Sequence, residues 1–184
     1  VKHNRQAEPD DVAAAADLVS KGLAAHSVYQ AAALPQRMSA VLFNRYEPGM
    51  EYGPHVDDAV MGSGRARLRS DLSFTLFLDD PRSYEGGDLV IESASGEQSF
   101  KLEAGACLLY PATSLHRVAP VTHGRRHAAV GWVQSLVRAA DAREVLFDLD
   151  TARRAVFEQQ GKSSTFDLLA KTYATLLRRW AEPG

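Results

Sequence analysis

The sequence predicts a mainly β fold with helices on either side of a central block of strands. Three observations support this class. About eight short runs rich in Val, Ile, Leu, Phe and Tyr lie between residues 37 and 136, separated by turn residues. Helix-forming runs precede and follow this block. Little helix-forming sequence lies between the strands, which favours an antiparallel sandwich or barrel, with a jelly roll among the options.

A helical lead-in is expected over residues 1–35. An alanine-rich run with two aspartates at its start follows Pro9, which is favourable chemistry for beginning a helix. Gly22 lies near a candidate end of this helix. A second short helix is expected at 27–33, because Pro35 prevents its continuation.

The central block, residues 36–137, is expected to form the β core. Candidate strands lie at 37–46, 50–56, 71–78, 88–93, 97–102, 105–110, 115–121 and 126–136. The segment 58–70 is long for a loop, and long loops in compact domains often serve as lids or binding elements. We therefore expect this segment at the mouth of a site. Whether its three arginines, Arg65, Arg67 and Arg69, contact a substrate is left open.

Two further helices are expected in the last part of the chain, residues 138–184. The first begins near Asp141 and is ended by a glycine, and the second begins at Ser163 or Ser164 and reaches Trp180. Apolar faces on these helices are compatible with a homo-oligomer. Because no repeat or low-complexity linker interrupts the sequence, all 184 residues are expected to form a single domain.

Composition excludes several classes of protein. Lys and Arg number 21 against 23 Asp and Glu, a net charge of −2, which argues against a general nucleic-acid binder. The single cysteine, Cys107, excludes an intrachain disulfide, and a chain without disulfides favours a reducing, cytoplasmic location. Cys107 itself is expected in the core. No apolar run reaches the ~18 residues of a membrane span. No signal-peptide pattern begins the sequence, although what precedes Val1 is open.

A His-x-Asp pair, His55 and Asp57, is the first sign of chemistry. Residues two apart in an extended segment point to the same side, so both side chains can reach one metal ion. His116 would complete a two-histidine, one-carboxylate set, which is associated with non-haem Fe(II) oxygenases. Arg126 opens the next long strand, and neighbouring antiparallel strands can place it over the same cavity. Its guanidinium fork suits the far end of an iron-chelating dicarboxylate.

Several stretches between about Arg37 and Asp150 carry a distinctive combination of motifs. They read NRYEPGMEYGPHVDDA at 44–59, RSDLSFTLFL at 69–78, YEGGDL at 84–89, YPATSLHRV at 110–118, WVQSL at 132–136 and LFDLD at 146–150. In this combination the chain resembles the Fe(II)/2-oxoglutarate dioxygenases with prolyl-4-hydroxylase-like domains. The resemblance is strongest to the bacterial PKHD-type hydroxylases, sometimes called iron-uptake factor hydroxylases.

The resemblance implies a double-stranded β-helix, that is, a jelly-roll core between the flanking helices. It places His55, Asp57 and His116 at the iron-ligand positions, where they are also the catalytic residues. It places Arg126 at the position that pairs with the distal carboxylate of the cosubstrate 2-oxoglutarate. Asp57 retains the carboxylate that related halogenases replace with a small residue.

The activity implied by the resemblance is hydroxylation of an unidentified substrate with dioxygen, while 2-oxoglutarate is decarboxylated to succinate and CO2. L-ascorbate is the implied auxiliary reductant. Tyr46 and Ser73 are expected to line the cosubstrate pocket. Protein residues, free amino acids and siderophore-like molecules all remain candidate substrates. Two alternatives stay open, a non-catalytic sensor of iron or 2-oxoglutarate and a cupin-like metal-binding protein. A simple cupin needs no buried cation such as Arg126 for a dicarboxylate.

Overall fold

The computed structural model describes residues 2–183, which form fifteen β-strands and four α-helices. The helices are α1 (Ala13–Ala25), α2 (Ser27–Ala33), α3 (Ala140–Gln160) and α4 (Ser164–Trp180). The strands are β1 (Lys2–His3), β2 (Arg5–Gln6), β3 (Pro35–Met38), β4 (Leu42–Tyr46), β5 (Glu51–His55), β6 (Val60–Met61), β7 (Leu68–Arg69), β8 (Leu72–Phe77), β9 (Glu85–Gly86), β10 (Leu89–Ser93), β11 (Gly96–Phe100), β12 (Cys107–Pro111), β13 (His116–Val118), β14 (Val121–His123) and β15 (Arg126–Ser135).

Two antiparallel sheets dominate the fold. One has five strands in the order β1-β5-β13-β10-β11, and the other runs β12-β8-β15-β4-β2, with β3 also paired to β15. Residues of both sheets line one internal cavity, so the sheets pack as two layers around it. This is the jelly-roll type of architecture, in which short antiparallel strands are divided between two sheets. The predicted fold class, mainly β with flanking helices, is confirmed.

Strand β8 lies between β12 and β15 in the six-stranded sheet and is buried on both faces. Ser73 and Thr75 line the internal cavity. Leu72 and Phe74 alternate with them and pack in a cluster with residues of α1 and α2. The helices of the lead-in therefore cover the outer face of this sheet, while the polar Ser73 and Thr75 face the cavity on its other side.

The C-terminal helices pack beside the end of β15. Val137 and Leu146 are fully buried in a cluster with Leu34, and partly buried side chains of α4 pack against it. Ser163 caps α4 as expected, since its Oγ accepts a hydrogen bond of 3.2 Å from the backbone N–H of Phe166. None of the helices described has both the length and the apolar character that crossing a membrane requires.

The beginning of the chain differs from the expected helical lead-in. Residues 2–3 and 5–6 form β1 and β2, which add to the two sheets, before α1 begins. Helix α1 continues through Gly22 to Ala25, because one glycine costs only about 1 kcal/mol relative to alanine and good helix formers surround it. The second expected helix is observed at Ser27–Ala33.

Three expectations for the strand block also need correction. The candidate strand 37–46 is interrupted and forms β3 and β4, while the 58–70 segment contains the β6–β7 hairpin. Cys107 is exposed and is not a core residue. It begins β12, which is the edge strand of its sheet, so a neighbouring strand covers it on one side only.

Candidate metal centre

Three polar side chains converge at the five-stranded sheet. His55 ends β5, Asp57 follows two residues later, and His116 begins β13 directly opposite His55 in the strand pairing. Their ligand atoms all lie within 4.8 Å of one another. Nε2 of His55 is 3.9 Å from Oδ1 of Asp57, and Nε2 of His116 is 3.8 Å from Oδ2. These separations exceed a hydrogen bond and leave space for one ion between the three groups.

Both histidines are oriented through the opposite ring nitrogen. Nδ1 of His55 lies 2.9 Å from the carbonyl oxygen of Gly53, and Nδ1 of His116 lies 3.0 Å from that of Ser114. A neutral imidazole whose Nδ1–H donates to a carbonyl presents the lone pair of Nε2, which is the form that binds metals. Burial lowers the pKa of His55 below its ordinary value and so favours this neutral form.

Asp57 and the two imidazoles are held by their neighbours. Ser73 Oγ donates a hydrogen bond of 2.6 Å to Oδ2 of Asp57. The ring of Tyr52 stacks on His55 with 3.7 Å between centroids, while Tyr110 meets His116 edge-on at 5.2 Å. Two imidazoles and one carboxylate in fixed orientations form a donor set that suits Fe(II) and leaves the other coordination positions free.

Arg126 lines the same cavity away from the ligand cluster, because it begins β15, whereas the residue of β15 that pairs with Ser73 is Trp132, further along the strand. It is 1% exposed and is the largest fully buried side chain in residues 2–183. Its Nε and Nη2 have no hydrogen-bond partner within the described chain. Burial lowers the pKa of this guanidinium, yet arginine keeps its charge in proteins. Because an unpaired buried charge is costly, the arrangement calls for an anion beside Arg126.

The cavity between these two ends has a volume of about 280 Å³. Tyr46, Ser73 and Trp132 contribute to its wall, as the sequence predicts for the first two, and Asn44 is an unpredicted addition. Trp132 Nε1 and Asn44 Oδ1 also have no partner among the described residues. Asn44 lies two residues before Tyr46 on β4, so strand alternation was the signal that could have identified it. The orphaned donors of Arg126 and Trp132, together with the chemistry of the ligand set, fit an iron-chelating dicarboxylate.

The arginines of the 58–70 segment are not part of the cavity wall. Its first residues, represented by Asp58 and Met61, do line the cavity, as expected for a segment at the mouth. Arg69 instead forms ion pairs with Asp71 at 2.6 Å and with Glu182 at 3.1 Å. Arg69 therefore links Glu182, which follows α4, to Asp71, which directly precedes β8.

Two family models match the chain. The model of the 2OG-Fe(II) oxygenase superfamily matches residues 41–134, which include all four candidate site residues. The model of the PKHD-type hydroxylase C-terminal domain matches residues 141–182, the region of α3 and α4. The strand block and the C-terminal helices are thus matched by separate models.

Solved structures of two hydroxylases are similar to the chain at low sequence identity. A prolyl-4-hydroxylase of Pseudomonas putida has a TM-score of 0.46 at 22% identity, covering 72% of this chain and 71% of that one. A viral collagen prolyl hydroxylase from Paramecium bursaria Chlorella virus-1 has a TM-score of 0.46 at 16% identity, covering 72% and 80%.

Curated relatives match over nearly the whole chain. A PKHD-type hydroxylase of Synechococcus elongatus is 58% identical over 99% of this chain and 82% of its own length. One of Gloeothece citriformis is 52% identical over the same shares. The chain therefore belongs to the PKHD-type hydroxylases of the 2OG-Fe(II) oxygenase superfamily, and it is a 2-oxoglutarate-dependent dioxygenase.

Proposed function

We propose that His55, Asp57 and His116 hold Fe(II), and that Arg126 binds the distal carboxylate of 2-oxoglutarate. The observation that carries this proposal is the buried guanidinium without an anionic partner, which shares one cavity with the two-histidine, one-carboxylate cluster. A ligand that chelates iron at one end and carries a second carboxylate at the other satisfies both groups. 2-oxoglutarate is such a ligand, and family membership supplies it independently.

The reaction that we propose is hydroxylation of a substrate C–H bond. Bound Fe(II), together with 2-oxoglutarate and dioxygen, supplies the oxidising power. One oxygen atom of dioxygen enters the substrate as a hydroxyl group, and the other enters the succinate that remains when 2-oxoglutarate loses CO2. L-ascorbate is proposed as the auxiliary reductant, since turnover without substrate oxidises the iron.

The residues of the chain orient the reactants in this scheme. Ser73 fixes the carboxylate of Asp57, and the carbonyls of Gly53 and Ser114 fix the two imidazoles. Arg126 offers a planar pair of donors that matches a carboxylate. Because the Arg126 side chain is buried, little water screens it, which strengthens the attraction between guanidinium and carboxylate.

We further propose that residues 1–184 act as one domain. Helices α1 and α2 share a cluster of buried side chains with the six-stranded sheet, and α3 shares one with the residues that follow β15. The substrate class stays open between protein residues, amino acids and siderophore-like molecules. Location in the cytoplasm and assembly into a homo-oligomer stay predictions.

Anaerobic calorimetry followed by oxygenated turnover tests the proposal. Fe(II) is titrated into metal-free protein, and 2-oxoglutarate is then titrated with and without the metal. We expect one Fe(II) per chain and much tighter 2-oxoglutarate binding when the metal is present. On admitting oxygen, succinate formation that rises with a substrate mixture supports a hydroxylase. Binding of both ligands without any succinate would instead indicate a sensor, and failure of 2-oxoglutarate to bind would overturn the proposal.

A further inference from the structure

The first strands of the chain connect the two sheets next to the cavity. β1 pairs with β5 of the five-stranded sheet, which ends at His55, and β2 pairs with β4 of the six-stranded sheet, which ends at Tyr46. Asn4 is the residue between them, at the crossing point. The two residues on each side of it are exposed, whereas Asn4 is half-buried. The segment thus directs an amide, and not an apolar side chain, toward the interior.

The Asn4 amide contacts a residue of the cavity wall. Its Nδ2 donates a hydrogen bond of 2.9 Å to the hydroxyl oxygen of Tyr46, which is almost fully buried. A phenol has one proton to donate and accepts through its oxygen, so this contact occupies the acceptor and leaves the proton free. Burial raises the pKa of Tyr46, so the phenol keeps that proton at neutral pH.

The proton of Tyr46 has no acceptor among the described residues. The guanidinium carbon of Arg126 lies 5.2 Å from the centre of the Tyr46 ring, and arginine offers donors only. Neither the phenolic proton nor the Arg126 guanidinium therefore has an anionic partner among the described residues, although the neutral Oδ1 of Asn44 also lines this cavity. The partner that satisfies both is an anion that accepts several hydrogen bonds, as a carboxylate does.

We propose that Asn4 is a positioning residue for 2-oxoglutarate. By donating to the oxygen of Tyr46, it turns the phenolic proton toward the distal carboxylate that Arg126 binds. The inference rests on the proposed function, because it needs that carboxylate at this end of the cavity. The inference gives the segment before the first helix a role in cosubstrate binding. The exposure and the short strands of this segment would not indicate such a role.

Affinity for 2-oxoglutarate, measured by anaerobic calorimetry on the Fe(II)-loaded protein, tests the inference. We expect Tyr46→Phe to weaken binding by roughly 10- to 100-fold, as for the loss of a hydrogen bond to a charged acceptor. Asn4→Ala should weaken it by roughly two- to tenfold, because the phenol remains and only its orientation is lost. The double variant should bind no more weakly than Tyr46→Phe alone, because Asn4 acts through the phenol. Affinity for Fe(II) should not change in any of these proteins. His3→Ala, an exposed neighbour on β1, serves as the matched control and should bind as the parent does.

Asn4→Asp tests which way the hydrogen bond runs. A carboxylate at this position would accept the phenolic proton and repel the anionic cosubstrate, so we expect a loss of more than about tenfold. Parent-like affinity in Asn4→Asp would show that Tyr46 donates to residue 4 and would overturn the inference. Additive losses in the double variant would overturn it as well, since they would indicate a general structural role.

Arg126→Gln, measured in the same series, distinguishes a failure of the role proposed for Asn4 from a failure of the proposed function. If this variant loses affinity while Asn4→Ala and Asn4→Asp retain it, the role of Asn4 is wrong and the proposed function stands. If Arg126→Gln also binds 2-oxoglutarate normally, the carboxylate does not lie at this end, and both the proposed function and the role of Asn4 fail.

Discussion

Ser73 and Asp57 join the two sheets at the candidate metal centre through a hydrogen bond of 2.6 Å between Oγ and Oδ2. Asp57 follows β5 of the five-stranded sheet, whereas Ser73 lies on β8, an interior strand of the other sheet. One sheet therefore supplies the carboxylate, and the opposite sheet sets its orientation. The geometry of the ligand set depends on the correct packing of the two sheets.

Replacing Ser73 by alanine should weaken Fe(II) binding without removing a ligand. Partners of metal ligands typically contribute roughly 10- to 100-fold in affinity, because they fix the orientation of the ligand. We expect a loss in this range by anaerobic titration, and a smaller change in the affinity for 2-oxoglutarate. Ser99→Ala on the exposed strand β11 is the control. Equal Fe(II) affinity in the two variants would show that Asp57 is oriented without Ser73.

The three candidate ligands should be individually essential. His55→Ala, Asp57→Ala and His116→Ala are each expected to abolish activity and sharply weaken Fe(II) binding, because a three-ligand site cannot lose one anchor and keep its geometry. Fe(II) should raise the unfolding temperature of the parent by mass action, and this increase should disappear in each variant. His123→Ala, an exposed histidine outside the cavity, should retain both. Full turnover by a ligand variant would remove that residue from the site.

Local pattern was sufficient to predict much of this architecture. Strand β8 is marked by a period-two alternation of apolar and polar residues. A glycine marks the end of α3, and a serine marks the start of α4. These signals lie in neighbouring residues, so the three elements agree closely with expectation. The same holds for His55 and Asp57, because a spacing of two in an extended segment fixes their relative direction.

Contacts between segments that are distant in the sequence could not be predicted from local residue patterns. β1 and β2 have only two residues each and exist because β5 and β4 offer them edges to pair with. The hydrogen bond from Asn4 to Tyr46 spans 42 positions and depends on that pairing. The exposure of Cys107 follows from the place of β12 at the edge of its sheet, which strand order decides.

Gly86 is expected to be far less tolerant of substitution than Gly96. Both have positive φ, at 68° and 108°, so alanine at either position carries a backbone penalty of about 1–2 kcal/mol. A Cβ on Gly86 would also lie 2.1 Å from the carbonyl oxygen of Pro120, whereas one on Gly96 would meet no atom within 4 Å. By urea unfolding, Gly86→Ala should destabilise the protein by roughly 4 kcal/mol or more, in the range of severe steric changes. Similar losses in the two variants would contradict the close approach.

The most informative single substitution is Arg126→Gln, which removes the charge and keeps a polar but shorter side chain. Iron binding should remain nearly intact, since Arg126 lies at the far end of the cavity from the ligand cluster. Binding of 2-oxoglutarate should weaken by about 2–5 kcal/mol, the range for truncating one partner of a desolvated charge pair. Arg126→Lys should recover only part of this loss, because one ammonium cannot reproduce the bidentate fork.

Arg125→Gln is the matched control, because the two arginines are adjacent in sequence but differ in environment. Arg125 is largely exposed and lies 3.9 Å from Glu47, while Arg126 is buried without an anionic partner. Titrating Fe(II) and 2-oxoglutarate separately into each variant, without oxygen, measures both affinities. We expect Arg125→Gln to bind both ligands as the parent does. If the loss of 2-oxoglutarate affinity appears in Arg125→Gln and not in Arg126→Gln, the buried arginine is structural, and the cosubstrate carboxylate must be bound nearer the surface.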